Sequence, residues 1–590
     1  MDIIEQCQQL LKTKNLDAYL IPTSDPHQSE YISDHFKTRA FLTGFTGSAG
    51  TLLITQKDAL LWVDGRYHIQ AEQQIKDRPI RLMKQGLTTT PSIEEYLKKA
   101  FQGPFRLGFD GHVLSASFVL NLCKNVPNIQ LNDTGDIIDP LWNDRPPLPF
   151  SMLYYYDVFF SGKTYQEKRT DVKTAMKENH CSIHILSSLE DQAWLYNLRA
   201  NDIVHTPVFL AYTVLTDDDC HLFVDPDKID KTVELYLKEN EINVHPYSGF
   251  YTFLSKLTNQ TILMDDQTIN YTIYHQLKDQ NNLVLKPNPT LKLKAIKNKT
   301  EIKHTKQAHI KDGVAFTKWM YLIKNKIGTI PLSERSAAKM LEEQRKQQEG
   351  FIDLSFDTIC AYQANAAMMH YSATDASDAS LKPEGFLLVD SGGHYLEGTT
   401  DITRTIALGH LTDAMKQHFT TVLKSVIALS EVVFLQGMRG DQLDILARGP
   451  IWKLRIDYQC GTGHGVGHLL SVHEGPNSFR FKKTTRESAV LEEGMITTNE
   501  PGIYLENEYG IRIENELLCV AKEKNMYGQF LGFQTITLAP IDLDAICMDR
   551  LTEDEKNWLN DYHQTVYDTL KPYLTEDEKN WLKKYTAKLE

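Results

Sequence analysis

The stretch FLLVDSGGHYLEGTTDITRTIALG, residues 386–409, decides how the rest of the chain is read. An apolar run ends on Asp390, small residues follow at 391–393, and a threonine-rich return run carries Asp401. Two such runs around a glycine-bearing turn predict a β-hairpin, with the reversal at Ser391-Gly392-Gly393 and both aspartates near its tip. Carboxylates held that close repel one another. A shared proton, a basic partner or a metal has to hold them there.

Composition narrows the setting. At roughly 150 residues per domain, a chain of 590 residues suggests about three or four domains. A hydrophobic content of 42% with 24% charged residues is that of an ordinary soluble globular protein. The formal net charge of −14 argues against a nucleic-acid or anionic-membrane partner. The opening MDIIEQCQQLLKTKN has neither a basic n-region nor an apolar h-region, so no secretory signal is expected. No apolar run approaches the ~20 residues that span a bilayer. The eight cysteines are scattered without a C-x-x-C, which reads as reduced thiols in a cytoplasmic protein.

The first half of the chain repeats itself. MDIIEQCQQLLKTKN (1–15) reads as an amphipathic helix leading into the strand AYLIP (18–22), which stops at Thr23-Ser24. YQEKRTDVKTAMKENH (165–180) leads likewise into SIHIL (182–186), which stops at Ser187-Ser188. TLLITQKDALLWVDGR (51–66) and AYTVLTDDDCHLFVDPD (211–227) are each a strand, a polar turn and a strand ending in Val-Asp. Two α/β domains of similar build account for this, at 1–145 and 146–296, parted by the proline-rich DPLWNDRPPLP (139–149). The segment LKPNPTLKLKAIKNK (285–299) marks a second break. From 297 to 590 follow a long helical stretch, the hairpin, several strands and a helical tail. The tail carries LTEDEKNWL twice, with capping boxes at Thr552 and Thr575, and reads as packing without chemistry.

Several motifs fail on spacing. SGKT (161–164) lacks the first glycine of a phosphate loop, because that position is Asp157. GFTGSAG (44–50) lacks the G-x-G-x-x-G spacing, and VHEGP (472–476) lacks the second histidine of H-E-x-x-H. What holds is a set spread over the last third. It contains CGTGHGVGHLLSVHEGP (460–476), with His464, His468 and His473 among glycines, and TTNEPGIYLENEYGIRIENELL (497–518). Glu500 precedes a Pro-Gly turn there, and Glu514 sits in the alternating run GIRIENELL, which reads as one strand.

Asp390 in LLVDSG, Asp401 in GTTDITRT, His464 in GTGHGVGH, Glu500 in NEPGIY and Glu514 in GIRIEN together resemble the five metal ligands of the pita-bread metallopeptidases. With two amino-terminal α/β domains, VHEGP, FTGSAG and VDGRYHIQA, the chain is similar over its length to the cytosolic three-domain Xaa-Pro aminopeptidases. The resemblance implies two tandem creatinase-like α/β domains before a pita-bread catalytic domain (α/β and α+β). It implies an enzyme that removes the N-terminal residue from Xaa-Pro peptides by hydroxide attack activated at a dinuclear metal centre. Oxygen-rich ligands suit Mn2+ best, with Zn2+ or Co2+ as alternatives. Asp401 and Glu514 would bridge the two ions, His464 and Glu500 complete one site, and Asp390 chelate the other. Glu500 would also shuttle a proton. His370 in MMHYSAT and His473 in VHEGP match histidines that contact substrate and stabilise the tetrahedral intermediate, and Arg66 matches a substrate-contacting arginine. Arg512 would orient a ligating carboxylate, and His468 reads as structural. One departure is Cys460, where many relatives have histidine. A homodimer is the expected assembly. The competing readings are a prolidase acting on free Xaa-Pro dipeptides, a non-catalytic protein-binding relative, and a metal-free relative such as creatinase. Retention of all five ligands disfavours the last two.

Overall fold

The computed structural model describes residues 2–482 and 488–590. The chain forms two compact units, one made of the chain up to Val158 with Lys163–Leu291, the other of Phe159–Gly162 with Lys292–Glu590.

The first unit holds two six-stranded sheets with the same strand order. Across the first run Arg81–Lys84, Ala59–Val63, Thr51–Thr55, Ala18–Pro22, Phe105–Phe109 and Ile129–Asp133. Across the second run Ile242–Pro246, Cys220–Val224, Ala211–Thr216, Ile183–Leu186, Thr261–Met264 and Asn282–Leu285. Ala18–Pro22 is antiparallel to Thr51–Thr55 and parallel to Phe105–Phe109. Ile183–Leu186 bears the same relation to Ala211–Thr216 and Thr261–Met264. The repeat read from the sequence is thus a repeat of topology. Its turns repeat as well. Thr55 Oγ1 accepts the N–H groups of Lys57 and Asp58 at 3.2 and 2.8 Å. Thr216 Oγ1 accepts those of Asp218 and Asp219 at 3.3 and 2.8 Å. A threonine that offers the backbone a local acceptor fixes a tight reversal, which explains why TQKD and TDDD do the same work. The central strands are apolar without alternation because both faces of each sheet are covered there. In Ala18–Pro22, Tyr19 and Ile21 enter one core while Ala18 and Leu20 enter the other.

The second unit opens on the helix Lys299–Lys326, capped by Asn298 with Glu301 in a capping box. Asp312 of this helix and Arg345 of the helix Glu334–Lys346 form a fully buried ion pair at 2.6 Å, and Tyr395 OH donates to the same Asp312 at 2.8 Å. Strands Ile359–Tyr362, Phe386–Ser391 and Ile402–Ala407 form an antiparallel sheet with Asp390 opposite Thr403. A four-stranded sheet orders Val433–Leu435, Gly528–Thr535, Asn515–Asn525 and Ile496–Asn499. Both copies of LTEDEKNWL begin helices, Glu553–Leu570 and Glu576–Tyr585, with capping boxes at Thr552 and Thr575 as expected. No helix among the described residues is long and apolar enough to cross a membrane.

Two local expectations are corrected. The chain does not reverse at Ser391-Gly392-Gly393. Ser391 ends its strand, and Gly393–Tyr395 then pairs with Gly398–Thr399 in a separate sheet with Phe351–Leu354. Gly392 is required by close approach rather than by a turn, since a Cβ there would collide with the Thr400 carbonyl and Ser355. Nor is GIRIENELL one strand. Tyr509–Arg512 pairs with Gly502–Leu505, and Asn515–Asn525 begins a different ladder, which leaves Glu514 at the crossing.

Candidate metal centre

The sheet that carries Asp390 also fixes its neighbours. Asp401 lies one residue before the strand Ile402–Ala407, and its backbone N–H donates to Glu516 Oε1 at 2.8 Å. Thr403, opposite Asp390, donates its hydroxyl to Glu514 Oε2 at 2.7 Å. Arg512 lies two residues before Glu514 on the neighbouring strand. Its Nη2 donates to Asp390 Oδ2 at 2.5 Å, its Nε to Thr403 Oγ1 at 3.2 Å, and its Nη1 to Tyr504 OH at 2.6 Å. One guanidinium therefore holds Asp390 directly and Glu514 through a threonine.

His464 sits in the short strand Gly463–His464, paired with Ser478–Phe479. The glycines around it are spatial requirements. A Cβ on Gly463 would collide with the Thr498 carbonyl, and one on Gly465 with the Glu474 carbonyl. His464 Nδ1 lies 3.0 Å from the carbonyl oxygen of Gly465. A carbonyl only accepts, so in the neutral ring Nδ1 carries the proton and Nε2 presents a lone pair. That lone pair faces Asp401 Oδ2 at 3.5 Å and Glu500 Oε1 at 3.6 Å. Three acceptors turned toward one another need a proton or a metal cation between them.

The buried carboxylates point to the same conclusion. Asp401, His464 and Glu514 each offer a ligand atom, all within 4.8 Å of one another. Asp390 Oδ1, Asp401 Oδ1 and Glu514 Oε1 are buried without a hydrogen-bond partner, which costs a charged oxygen dearly unless a cation meets it. Burial first, then Asp390, Glu500 and Glu516, push the Asp401 carboxyl well above its usual range. Burial first, then Asp401, Glu500 and Asp390, do the same to Glu514. For Arg512 burial opposes the charge, but Tyr504, Asp390 and Glu500 outweigh it and leave the guanidinium firmly protonated. A basic partner thus serves Asp390, whereas Asp401 and Glu514 are left for protons or metal. Four carboxylates and one imidazole suit divalent ions that prefer oxygen, so the residues fit a metal centre.

The remaining sequence-predicted residues are placed as follows. Glu500 joins the strands Ile496–Asn499 and Gly502–Leu505, and its N–H donates to the Thr462 carbonyl at 2.8 Å. The His473 ring stands edge-on to His464 with centroids 4.3 Å apart. His370 follows Met369, whose carbonyl accepts from Arg512 Nη2 at 3.4 Å. His468 is engaged elsewhere, with Nδ1 3.0 Å from Thr305 Oγ1 and Nε2 3.2 Å from the Phe160 carbonyl. The Cys460 carbonyl accepts from Arg448 Nη2 at 2.8 Å, and its side chain is partly buried. Arg66 belongs to the first unit, where it grips Asp64 with Nε and Nη2 at 2.9 and 2.8 Å.

Sequence reasoning missed Thr403, Glu516 and Arg404. Arg404 lies within the wholly buried strand Ile402–Ala407. An arginine inside an otherwise apolar and threonine-rich run was the available signal.

Comparison with known proteins places these residues in a wider set. The sequence model of metallopeptidase family M24 matches residues 303–521, and that of the C-terminal region of peptidase M24 matches 529–589. The creatinase/prolidase N-terminal domain matches twice, at 3–141 and 144–301. A probable Xaa-Pro aminopeptidase P of Laccaria bicolor is 35% identical, over 97% of this chain and 90% of that protein. Xaa-Pro aminopeptidase 1 of Dictyostelium discoideum is 36% identical, over 97% and 93%. The crystal structure of X-prolyl aminopeptidase from Caenorhabditis elegans, described as a cytosolic enzyme with a di-nuclear active site, is similar with a TM-score of 0.93. It is 31% identical, with 97% of this chain and 95% of that chain covered.

Proposed function

Because this chain belongs to metallopeptidase family M24 and carries two creatinase-type domains before its peptidase domain, we propose that it is an Xaa-Pro aminopeptidase. It removes the N-terminal residue from peptides with proline in the second position. The observation that carries this reading is the convergence of Asp401, His464 and Glu514 on one buried point within the M24 region.

Asp390, Asp401, His464, Glu500 and Glu514 would hold two divalent ions. Such ions, when bound, lower the pKa of a water and polarise the carbonyl it attacks. The chain's own residues do the rest. Arg512 aims Asp390, Thr403 fixes one oxygen of Glu514, and the Gly465 carbonyl fixes the His464 tautomer. Glu500, with 19% of its side chain exposed, is more accessible than Asp390 at 12%, and takes a proton from the attacking water. The leaving group is the proline nitrogen, a secondary amine that must be protonated to depart, and Glu500 returns the proton to it. His370 and His473 receive the substrate and the negative charge that develops on its carbonyl oxygen. Arg66 completes the set of substrate-contacting residues we propose.

The oxygen-rich donor set favours Mn2+ over Zn2+. The domain limits we propose are 1–145, 146–296 and 297–590, with support from the two sheets of equal strand order. A homodimer and a cytoplasmic location complete the reading, the latter supported by the description of the C. elegans enzyme as cytosolic. Light scattering tests the assembly, and a mass of one chain rejects the dimer.

The deciding experiment compares Arg-Pro-Pro and Arg-Pro as substrates of chelator-stripped protein, with and without Mn2+, beside Glu514→Ala. Metal-dependent release of arginine from the tripeptide, lost in the variant, is the expected result. Cleavage of the dipeptide alone moves the assignment to a prolidase. Cleavage of neither revives a binding protein.

A further inference from the structure

The helical tail read from the sequence as mere packing reaches the metal centre through Arg404. This side chain is 1% exposed, and no carboxylate pairs with it among the described residues. Its N–H groups are spent on neutral oxygens from separate parts of the chain. Nη1 donates to the carbonyls of Thr403 and Glu514 at 2.8 and 2.5 Å. Nη2 donates to Asn515 Oδ1, the Ala539 carbonyl and Tyr562 OH at 2.8, 2.9 and 2.8 Å, and Nε to the Pro540 carbonyl at 3.2 Å. Glu514, where the chain passes from one ladder to another, is thus held by its main chain from below while Thr403 holds its side chain. Tyr562, on the helix Glu553–Leu570, completes the cage. Its hydroxyl accepts from Arg404 and donates to the Ala539 carbonyl at 2.8 Å, and its ring stacks on Trp558 at 5.4 Å. Without that hydroxyl, Nη2 keeps only the Asn515 and Ala539 oxygens and the Ala539 carbonyl loses a donor, which loosens the cage around the guanidinium whose Nη1 holds the Glu514 main chain.

We infer that Tyr562 and Arg404 are positioning residues through which the carboxy-terminal helix aims Glu514, so that the grip on metal depends on a tail side chain. The inference rests on the reading of Glu514 as a metal ligand. A partner that orients a ligand from behind commonly changes metal affinity by about 10–100-fold. The full chain carrying Tyr562→Phe is expected to bind Mn2+ about tenfold more weakly, at the lower end of that range because the ring stays. Arg404→Lys, which keeps the charge but loses the fork, is expected to weaken binding further.

The test is competition for Mn2+ between each metal-free protein and a metallochromic chelator, with the thermal midpoint of the metal-free form measured alongside. Glu555→Gln is the control, because it loosens the Lys424–Glu555 tie of the same helix without touching Arg404. Weaker binding in Tyr562→Phe with unchanged binding in Glu555→Gln supports the inference. Unchanged Mn2+ affinity in Tyr562→Phe overturns it whatever happens to Arg404→Lys. Equal weakening in Tyr562→Phe and Glu555→Gln also overturns it, because loosening the tail at any point would then suffice. Failure of the wild-type protein to bind Mn2+ overturns the ligand reading beneath it, and is seen before any substitution is made.

Discussion

Replacing Thr403 by valine tests the central claim that one hydroxyl passes the influence of Arg512 to Glu514. Thr403 is fully buried, so an isosteric methyl keeps the packing and removes only the hydroxyl. Two hydrogen bonds go with it, the 2.7 Å bond to Glu514 Oε2 and the 3.2 Å bond from Arg512 Nε. The first is made to a carboxylate that is ionised when metal is bound. A hydrogen bond to a charged group is worth about 1.5–3 kcal/mol. At about 1.4 kcal/mol per factor of ten, that is roughly 10–150-fold in binding. The loss falls on the metal-loaded state. Burial and its neighbours raise the Glu514 carboxyl, which favours its neutral form in the metal-free protein and makes that form depend less on the bond. The expected outcome is therefore Mn2+ affinity lower by about tenfold or more, with little change in the thermal midpoint of the metal-free protein. Chelator competition at pH 7.5 measures the first and calorimetric scanning the second. Affinity within twofold of wild type would refute the relay. A metal-free protein destabilised as much as binding is weakened would refute it too, since the energy would then belong to the fold.

Three further outcomes follow from the same geometry. Because Asp401 and Glu514 are raised, metal must displace protons, so apparent Mn2+ affinity rises with pH until those carboxyls are ionised. Titration calorimetry in buffers of different ionisation enthalpy checks this, and a buffer-independent heat contradicts it. His563 is buried and accepts the Ile541 N–H at 3.0 Å, and burial first, then Arg404, lower its pKa to about 3. Its folded pKa lies below the unfolded value, so the folded protein refuses a proton that the unfolded chain takes up, and stability falls as pH drops below ~6.5. Relative to His563→Gln, the wild type should lose about 2 kcal/mol between pH 7.5 and pH 5, at 1.36 kcal/mol per unit below ~6.5. A pH-independent difference in urea unfolding would show that the ring is not the cause. Arg345→Met leaves Asp312 buried without its cation and should cost about 3–5 kcal/mol. Unfolding in urea at neutral pH reads this loss, and a change under 1 kcal/mol contradicts it.

Much of the architecture was legible because its determinants are local. Thr55, Thr216, Thr552 and Thr575 each act on backbone groups two or three residues away, so sequence alone revealed the turns and helix starts. Asp401, His464 and Glu514, which the fold brings together, were legible as part of a set in order, although each alone was unremarkable. The reversal after Asp390 and the break at Glu514 were not. Both depend on partners outside the local run, Thr400 and Ser355 crowding Gly392, and Thr403 drawing the Glu514 N–H out of its ladder at 3.1 Å. Arg404 stood out only as an arginine in an apolar, threonine-rich run, and its role was not legible, since its acceptors are gathered from residues 403, 514, 515, 539, 540 and 562.

The two sheets of equal strand order give the molecule an internal replicate: one scaffold executed twice in different residues. Comparing the copies separates what the topology demands from what each neighbourhood has added. At the end of one strand Asp64 Oδ1 accepts the N–H of Arg66 at 3.0 Å, and at the equivalent place Asp225 Oδ1 accepts that of Asp227 at 3.1 Å. The scaffold requires an aspartate that closes the turn two residues on, and is indifferent to the side chain that follows. In the first copy that unconstrained place is filled by an arginine, in the second by an acid. Substitutions exchanged between the two turns would tell a duty that the shared scaffold imposes from one peculiar to a single copy.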